Sequence, residues 1–159
     1  MTKPVAMLIG ATSKWQSDGR NTRMAHGGNI PDDELPLSAR WGVGGAIALK
    51  FAREGFHVVL TTRSKPNASA LEAAIESEGF DCTTVELDLE SDDSISTAFK
   101  VVRQKVGDPE VVVLNAGYLE GRDLPPEMEL LEHMPVELFE PAQNIASRGP
   151  FLEAKERLP

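Results

Sequence analysis

Short apolar runs alternate along the chain with longer stretches in which apolar residues recur at helical spacing. The runs "VAMLI", "FHVVLTT", "CTTVELDL" and "VVVLNAG" predict four strands, because they are apolar or β-branched and are bounded by turn residues. The intervening stretches predict three helices, and glycines end the first two at Gly55 and Gly79. Their buried faces are predicted at Ile47, Ala48, Phe51 and Ala52; at Leu71, Ala74 and Ile75; and at Ile95, Ala98, Phe99 and Val102.

Helix caps and connections agree with this alternation. Asn67 or Ser69 is a candidate cap for the second helix, and Ser91 with two following acidic residues opens the third. A β-α-β-α-β-α-β order with short connections predicts an α/β fold, in which a parallel sheet is covered by helices on both faces.

The last part of the chain is less regular. A helix is expected after Pro135, but Pro141 falls inside it and is expected to kink or break it. The segment "GPFLEAKERLP" predicts a final helix. We therefore expect residues 118–159 to form an irregular segment followed by a C-terminal helix.

Composition narrows the class of protein. A length of 159 residues predicts one domain spanning 1–159, and the net charge of −9 argues against a nucleic-acid partner. No apolar run is long enough to span a membrane, and the N-terminus does not resemble a signal peptide. Cys82 is the single cysteine, which favours a cytoplasmic location. His26, His57 and His133 have no metal-ligand spacing, so no metal site is expected.

Glycines lie where a phosphate-binding turn would be expected. Gly10 follows the first strand, and Gly42, Val43 and Gly44 open the first helix. Such a turn lets a pyrophosphate approach the backbone N–H groups at the positive end of the helix.

Four signals taken in order resemble the short-chain dehydrogenase/reductase family. They are "GATS…GVG" after the first strand, Arg63 after the second, "LDL" at the end of the third and "NAG" at the end of the fourth. The resemblance covers about residues 4 to 158. It implies a Rossmann-type three-layer sandwich with sheet order 3-2-1-4, incomplete on its C-terminal side. It also implies an NAD(P)-dependent oxidoreductase that transfers hydride to or from a carbonyl or alcohol carbon, or alternatively an activated double bond.

The residues after the second strand favour NADP(H), with NAD as second choice. "LTTRS" has no carboxylate for the adenosine ribose, and Arg63 can pair with a 2′-phosphate. Lys14 in the turn, beside Ser13, would add a second positive charge. The alternative is that Arg63 is a solvated charge. An S-adenosylmethionine-dependent methyltransferase is disfavoured, because such enzymes usually keep an acidic residue at this place.

The family resemblance implies further cofactor contacts. Asp88 would bond the adenine amino group, with Leu89 beside it, and Asn115, Ala116 and Gly117 would line the ribose near the nicotinamide. The alternatives are that Asp88 caps the end of a strand and that Asn115 makes a hydrogen bond at the end of the sheet.

A polar segment at residues 16–41 interrupts the glycine turn. Lys14-Trp15 and Arg40-Trp41 flank it as near-duplicates, and its deletion leaves a continuous strand, turn and helix. Even then, five residues separate Gly10 from Gly42, a longer turn that is similar to the enoyl-reductase-like branch of the family. The segment could be a surface loop whose ends meet, a retained intron in a gene model, or a functional lid. We expect that cofactor binding does not need it.

The family's catalytic tyrosine and lysine have no counterpart in this chain. Its single tyrosine, Tyr118, follows the fourth strand directly and has Arg122 four residues later. The asparagine that often precedes the glycine of the last helix by three residues is replaced by Ala146. We therefore predict no catalytic residues here and little turnover by this chain alone. The alternatives are a non-catalytic nucleotide-binding or regulatory module and a non-functional truncated product.

Self-association is a further expectation. If the sheet stops at the fourth strand, "EVVVLNAG" is a long apolar edge, and the last helix lacks part of its packing surface. Either surface could pair with a second copy.

Overall fold

A computed structural model describes residues 3–12, 41–117, 131–133 and 135–157. Four parallel strands lie in the order β3-β2-β1-β4, as the family resemblance implied. Their bounds are β1 Val5–Ile9, β2 His57–Thr62, β3 Cys82–Glu86 and β4 Val111–Leu114. The register aligns Leu8 of β1 with Leu60 of β2 and Val113 of β4.

The position of each strand in the sheet follows its hydrophobicity. All five residues of β1 are buried, and only His57 of β2 is not. These two central strands are apolar on both faces, because helices cover both sides of a parallel sheet. β4 lies at one edge of the described sheet, with Leu114 42% exposed.

Three helices pack on the sheet close to the predicted positions: α1 Gly42–Arg53, α2 Ser69–Ser77 and α3 Asp92–Lys105. The predicted face of α3 is confirmed in full, since the four residues assigned to it are all buried. Ser91 caps α3 by accepting a hydrogen bond from the Ser94 amide at 3.2 Å. The expected cap of α2 is wrong. A 3-10 turn at Lys65–Asn67 leads into that helix, and Ala68 takes the cap position without a side-chain hydrogen bond.

The C-terminal part is helical from Val136 onward. A 3-10 turn is followed by α4 at Phe139–Gln143, a π-helical turn at Asn144–Arg148 and α5 at Gly149–Arg157. The helix expected after Pro135 is present and continues past Pro141, so of the two expected effects, a kink or a break, the break does not occur. Pro141 lies in the first turn of α4, where backbone N–H groups have no intrahelical partner, so the proline ring costs no hydrogen bond.

Helix α5 packs against α3. Arg148 pairs with Asp92 at 2.6 Å, and Arg103 pairs with Glu156 at 3.6 Å. Between these two pairs along the chain lies Glu153, which is only 4% exposed, and its Oε1 has no hydrogen-bond partner among the described residues. Burial raises the pKa of the Glu153 carboxyl to about 7.

None of the helices in the described ranges is long and apolar enough to cross a membrane.

Candidate functional site

The residues predicted to bind a cofactor follow the ends of the four strands. Gly10 follows β1, Arg63 follows β2, Asp88 comes two residues after β3, and Asn115 follows β4. Because all four strands are parallel, their carboxyl ends meet at one edge of the sheet. Ligands of open α/β sheets bind at this edge, beside the point where the strand order reverses, which here lies between β1 and β4.

Gly10 occupies a position that only glycine fits. Its φ of +77° lies in the left-handed region, and a Cβ there would lie 2.6 Å from the Cα of Ala116. The turn after β1 therefore passes directly against the turn after β4. Two of the predicted site residues, 106 positions apart, are brought into contact in this way.

Asn115 ties the same two turns together by hydrogen bonds. Its side-chain Nδ2 donates to the Gly10 carbonyl at 2.9 Å, and its backbone N–H donates to the Ile9 carbonyl at 2.9 Å. The hydrogen bond at the end of the sheet, one of the two roles considered for Asn115, is therefore present.

Helix α1 begins against these turns. Gly42 has φ +61°, and a Cβ on Gly44 would lie 2.7 Å from the Ala11 carbonyl oxygen and 2.8 Å from that of Gly10. Val43 between them is 69% exposed, and no acidic residue stands in the first turn. The first N–H groups of a helix have no intrahelical partner and carry partial positive charge, so this helix start can receive an anion.

Trp41 belongs with α1, although the sequence assigned it to the polar insert. It is the residue before the helix, its carbonyl accepts the Gly45 amide at 3.2 Å, and its side chain is partly buried against the core. The predicted insert therefore includes at its end one residue that packs with the fold.

Thr61 is a residue of the site that sequence reasoning missed. It is fully buried in β2; its hydroxyl donates to the Leu8 carbonyl at 2.8 Å and accepts the Gly10 amide at 3.2 Å. Its own carbonyl accepts the Ala11 amide at 3.0 Å. The signal available in the sequence was a pair of threonines ending an otherwise apolar strand.

The residues after β2 and β3 lie at neighbouring strand ends. Arg63 is exposed, and the Leu87 amide donates to the Thr62 carbonyl at 2.9 Å, which joins the two strand ends. Asp88 accepts a hydrogen bond from the Glu90 amide at 3.1 Å, in the turn ahead of α3. The Leu89 side chain is buried and packs against Gly149.

Several predicted features lie outside the described residues. These are Ser13, Lys14, residues 16–40 of the insert, Tyr118 and Arg122. Gly117, which is described, is exposed, and a Cβ on it would meet nothing within 4 Å.

The reactive side chains elsewhere have ordinary structural surroundings. Cys82 begins β3, at the sheet edge opposite the site, and burial raises the pKa of its thiol to about 12. His57, at the same opposite edge, shares a 2.9 Å hydrogen bond with Thr83, and burial lowers the pKa of its ring. Within the described ranges, no group of three or more potential ligands could hold a metal ion.

Comparison with known proteins gives a consistent result. A family model described as enoyl-(acyl carrier protein) reductase matches residues 38–159. The chain is 34% identical over 83 residues to the 3-oxoacyl-(acyl-carrier-protein) reductase FabG of Pseudomonas aeruginosa; the match covers 52% of this chain and 34% of that protein. It is 30% identical over 95 residues to a 3beta-hydroxysteroid dehydrogenase of Mediterraneibacter gnavus, covering 60% of this chain and 34% of that one. These matches thus span about a third of each relative's length.

Solved structures share the fold over almost the whole chain. A short-chain type dehydrogenase/reductase from Mycobacterium marinum matches with a TM-score of 0.70 and 18% identity, over 98% of this chain and 49% of that one. Actinorhodin polyketide ketoreductase, solved with NADPH, matches with a TM-score of 0.70 and 22% identity, and the match covers 99% of this chain and 48% of that one. A metagenomic short-chain oxidoreductase in complex with NADP matches with a TM-score of 0.69 and 23% identity, and the match covers 98% of this chain and 55% of that one.

Proposed function

This chain belongs to the short-chain dehydrogenase/reductase family, and from that premise we propose that it binds a nicotinamide dinucleotide, with NADP(H) preferred. The observation that carries the proposal is the convergence of Gly10, Gly44 and Asn115 where the start of α1 meets the ends of β1 and β4. Glycines at the two contact points let the backbone pack more closely than a side chain would permit.

The donors at this edge fit the pyrophosphate of such a cofactor. The first turn of α1 carries no acidic residue, so nothing on the helix opposes a negative charge at its N-terminus. Gly42 and Gly44 would offer backbone N–H groups without steric hindrance. Asp88 and Leu89 would lie toward the adenine, and Asn115, Ala116 and Gly117 toward the nicotinamide ribose.

Arg63 supports the preference for NADP(H). It is exposed directly after β2, in a stretch of sequence without a carboxylate until Glu72. A guanidinium can pair in two-pronged fashion with a 2′-phosphate, whereas the 2′-hydroxyl of NAD(H) is best held by an acidic side chain. The two relatives solved with NADPH and NADP agree with this preference.

Calorimetric titration of the chain with NADPH and with NADH tests both the binding of a dinucleotide and the preference for NADP(H). Wild type should bind NADPH more tightly than NADH. Arg63→Ala should weaken NADPH binding by about tenfold or more, because a charged hydrogen bond contributes about 1.5–3 kcal/mol, and should change NADH binding little. Lys105→Ala is the matched control, because it removes a positive charge at the far end of α3. Equal losses for the two cofactors would refute the 2′-phosphate assignment, and no binding of either would refute the proposal.

We further propose that the reaction served is hydride transfer between this cofactor and a carbonyl or alcohol carbon, with an activated double bond as the alternative. A bound nicotinamide would supply or accept the hydride. This chain's own residues would hold the cofactor. The proton donor of the family has no counterpart here, since Tyr118 lacks a lysine four residues later. Incubating the chain with NADPH and simple ketones should consume little NADPH; rapid consumption would contradict this division of roles.

Self-association is proposed through the edge of β4 or through the C-terminal helical segment. Leu114 is 42% exposed on the edge strand, and Val136, Phe139 and Phe151 are more than 60% exposed on the helical segment. Exposed apolar groups on an unpaired edge favour pairing with another chain. Sedimentation of Leu114→Lys and Phe151→Lys should identify which surface is used, with Val43→Lys as a control for the added charge. A wild-type chain that stays monomeric at high concentration would contradict the proposal.

A cytoplasmic location is proposed from cysteine usage. Cys82 is the single cysteine of the sequence, so no internal disulfide can form. Fractionation of expressing cells would check it.

A further inference from the structure

Three candidates outside the predicted cofactor residues stand out in the fold: the buried Glu153, the exposed apolar side chains of the C-terminal helical segment and the buried Thr61. Thr61 makes the most specific contacts. Its side chain is completely buried, and its hydroxyl uses both its donor and an acceptor position, on atoms of β1 and of the turn after it. A buried hydroxyl that donates to one backbone group and accepts from another fixes the two groups relative to each other.

The contacts of Thr61 are concentrated on the glycine turn. The hydroxyl accepts the Gly10 amide at 3.2 Å, and the Thr61 carbonyl accepts the Ala11 amide at 3.0 Å. Asn115 holds the Gly10 carbonyl from the opposite side at 2.9 Å. The Gly10 residue is thus bound through its N–H to β2 and through its carbonyl to the turn after β4, the two strands that flank β1.

This arrangement changes what the turn can offer to a ligand. The N–H groups of Gly10 and Ala11 are both engaged by Thr61, so the N–H donors for an anion must come from farther along, at the start of α1. Gly10 supplies the close approach to Ala116, and Gly44 supplies the close approach of α1 to the carbonyls of Gly10 and Ala11. The start of α1 thus packs directly on the backbone of the turn, so the position of the turn limits how closely α1 can approach the sheet.

We propose that Thr61 is a positioning residue for the dinucleotide: its hydroxyl fixes the glycine turn in the path that presents the α1 N-terminus to the pyrophosphate. The inference rests on the proposed cofactor function. Thr62, the next residue, points its hydroxyl elsewhere, toward the backbone of Ser64 at 3.2 Å, so the role is specific to Thr61.

The test uses four variants of the whole chain and two readouts. Thr61→Val keeps the shape of the side chain and removes the hydroxyl, and Thr61→Ser keeps the hydroxyl. Thr84→Val, on the adjacent strand β3, is the matched control, because the Thr84 hydroxyl is buried without a partner among the described residues. Thr61→Ala is paired with Thr61→Ser in case the valine variant does not fold, since those two small residues differ mainly in the hydroxyl.

Titration with NADPH and NADH is the first readout. Thr61→Val and Thr61→Ala should weaken both cofactors by about tenfold, because the turn serves the pyrophosphate that they share. Thr61→Ser and Thr84→Val should bind within about threefold of wild type. A merely structural role would lower the free energy of unfolding and leave the affinity of the folded chain unchanged, so equal affinity in the serine and alanine variants would overturn the inference.

Amide hydrogen exchange at Gly10 in the cofactor-free chain is the second readout. Loss of the Thr61 hydroxyl should speed exchange of the Gly10 amide while core amides of β1 stay protected. Unchanged Gly10 exchange would overturn the inference whatever the cofactor does. If the wild-type chain binds neither cofactor, the proposed function fails. Exchange of the Gly10 amide then still tests whether the Thr61 hydroxyl fixes the turn.

Discussion

The Asn115 side chain donates a hydrogen bond to the Gly10 carbonyl at 2.9 Å, across 105 positions of sequence. Replacing Asn115 with alanine would leave that carbonyl without its side-chain donor. We expect the free energy of unfolding to fall by about 1–2 kcal/mol, and NADPH binding to weaken because the turn is less well fixed. Urea denaturation measures the first effect. Gln104→Ala, which truncates an exposed amide on α3, should change stability by less than about 0.5 kcal/mol. If the two variants are equally stable, the hydrogen bond contributes nothing.

Two glycines of the site provide a contrasting pair. An alanine Cβ at position 44 would lie 2.7 Å from both the Ala11 carbonyl oxygen and the Asn115 Nδ2, whereas one at position 117 would meet nothing within 4 Å. Gly44→Ala should therefore destabilise the chain by about 1–3 kcal/mol and abolish measurable NADPH binding. Gly117→Ala should leave stability nearly unchanged. Thermal melts together with NADPH titration check both, and a tolerated Gly44→Ala would mean that α1 can move away from the turn without consequence.

Glu153 should make stability depend on pH. Burial raises the pKa of its carboxyl from an ordinary value of 4.5 to about 7 in the folded chain. Between these two pH values the unfolded state releases the proton and the folded state keeps it, so the free energy of unfolding falls as pH rises through this window. The total loss is on the order of 3 kcal/mol, and it levels off once the pH is about one unit above the folded-state pKa.

Glu153→Gln should remove this dependence, since an amide does not titrate. His57, whose pKa is lowered by burial, acts in the opposite direction, because the unfolded state binds its proton first as pH falls. The informative quantity is therefore the difference between the wild-type and Glu153→Gln unfolding free energies, measured by urea denaturation from pH 5 to about pH 8. A difference that stays constant over this range would show that Glu153 is ionised in the folded chain.

Deletion of residues 16–41 should preserve cofactor binding. The deletion places Trp15 directly before Gly42, where Trp41 now packs against the core and accepts the Gly45 amide. We expect the shortened chain to bind NADPH at least as tightly as the full chain. The same deletion with Trp15→Ala should be less stable, because it lacks the aromatic side chain at the helix start. Weaker binding by the simple deletion would instead favour a functional role for the segment.

The sequence by itself determined the strands, the three helices that cover the sheet and the order of the elements. Those features depend on local spacing: β1 and β2 carry continuous apolar runs because they are central, and α3 has Ile95, Ala98, Phe99 and Val102 on one buried face. The family resemblance added the strand order and pointed to Gly10, Gly44, Arg63 and Asn115. The cap of α2 was mispredicted, because a 3-10 turn leads into that helix. Pro141 does not break its helix, because it lies in the first turn of α4.

Only the tertiary structure decided which groups meet. Nothing in the local pattern places Thr61 on the Gly10 amide, Ala116 against the Gly10 backbone or Trp41 beside Gly45, because these contacts depend on strand register and on the angle at which α1 leaves the sheet. The same holds for Glu153, whose sequence context is that of an exposed helix. Its burial results from the packing of α5 on α3, and a single sequence pattern does not encode the position of one helix against another.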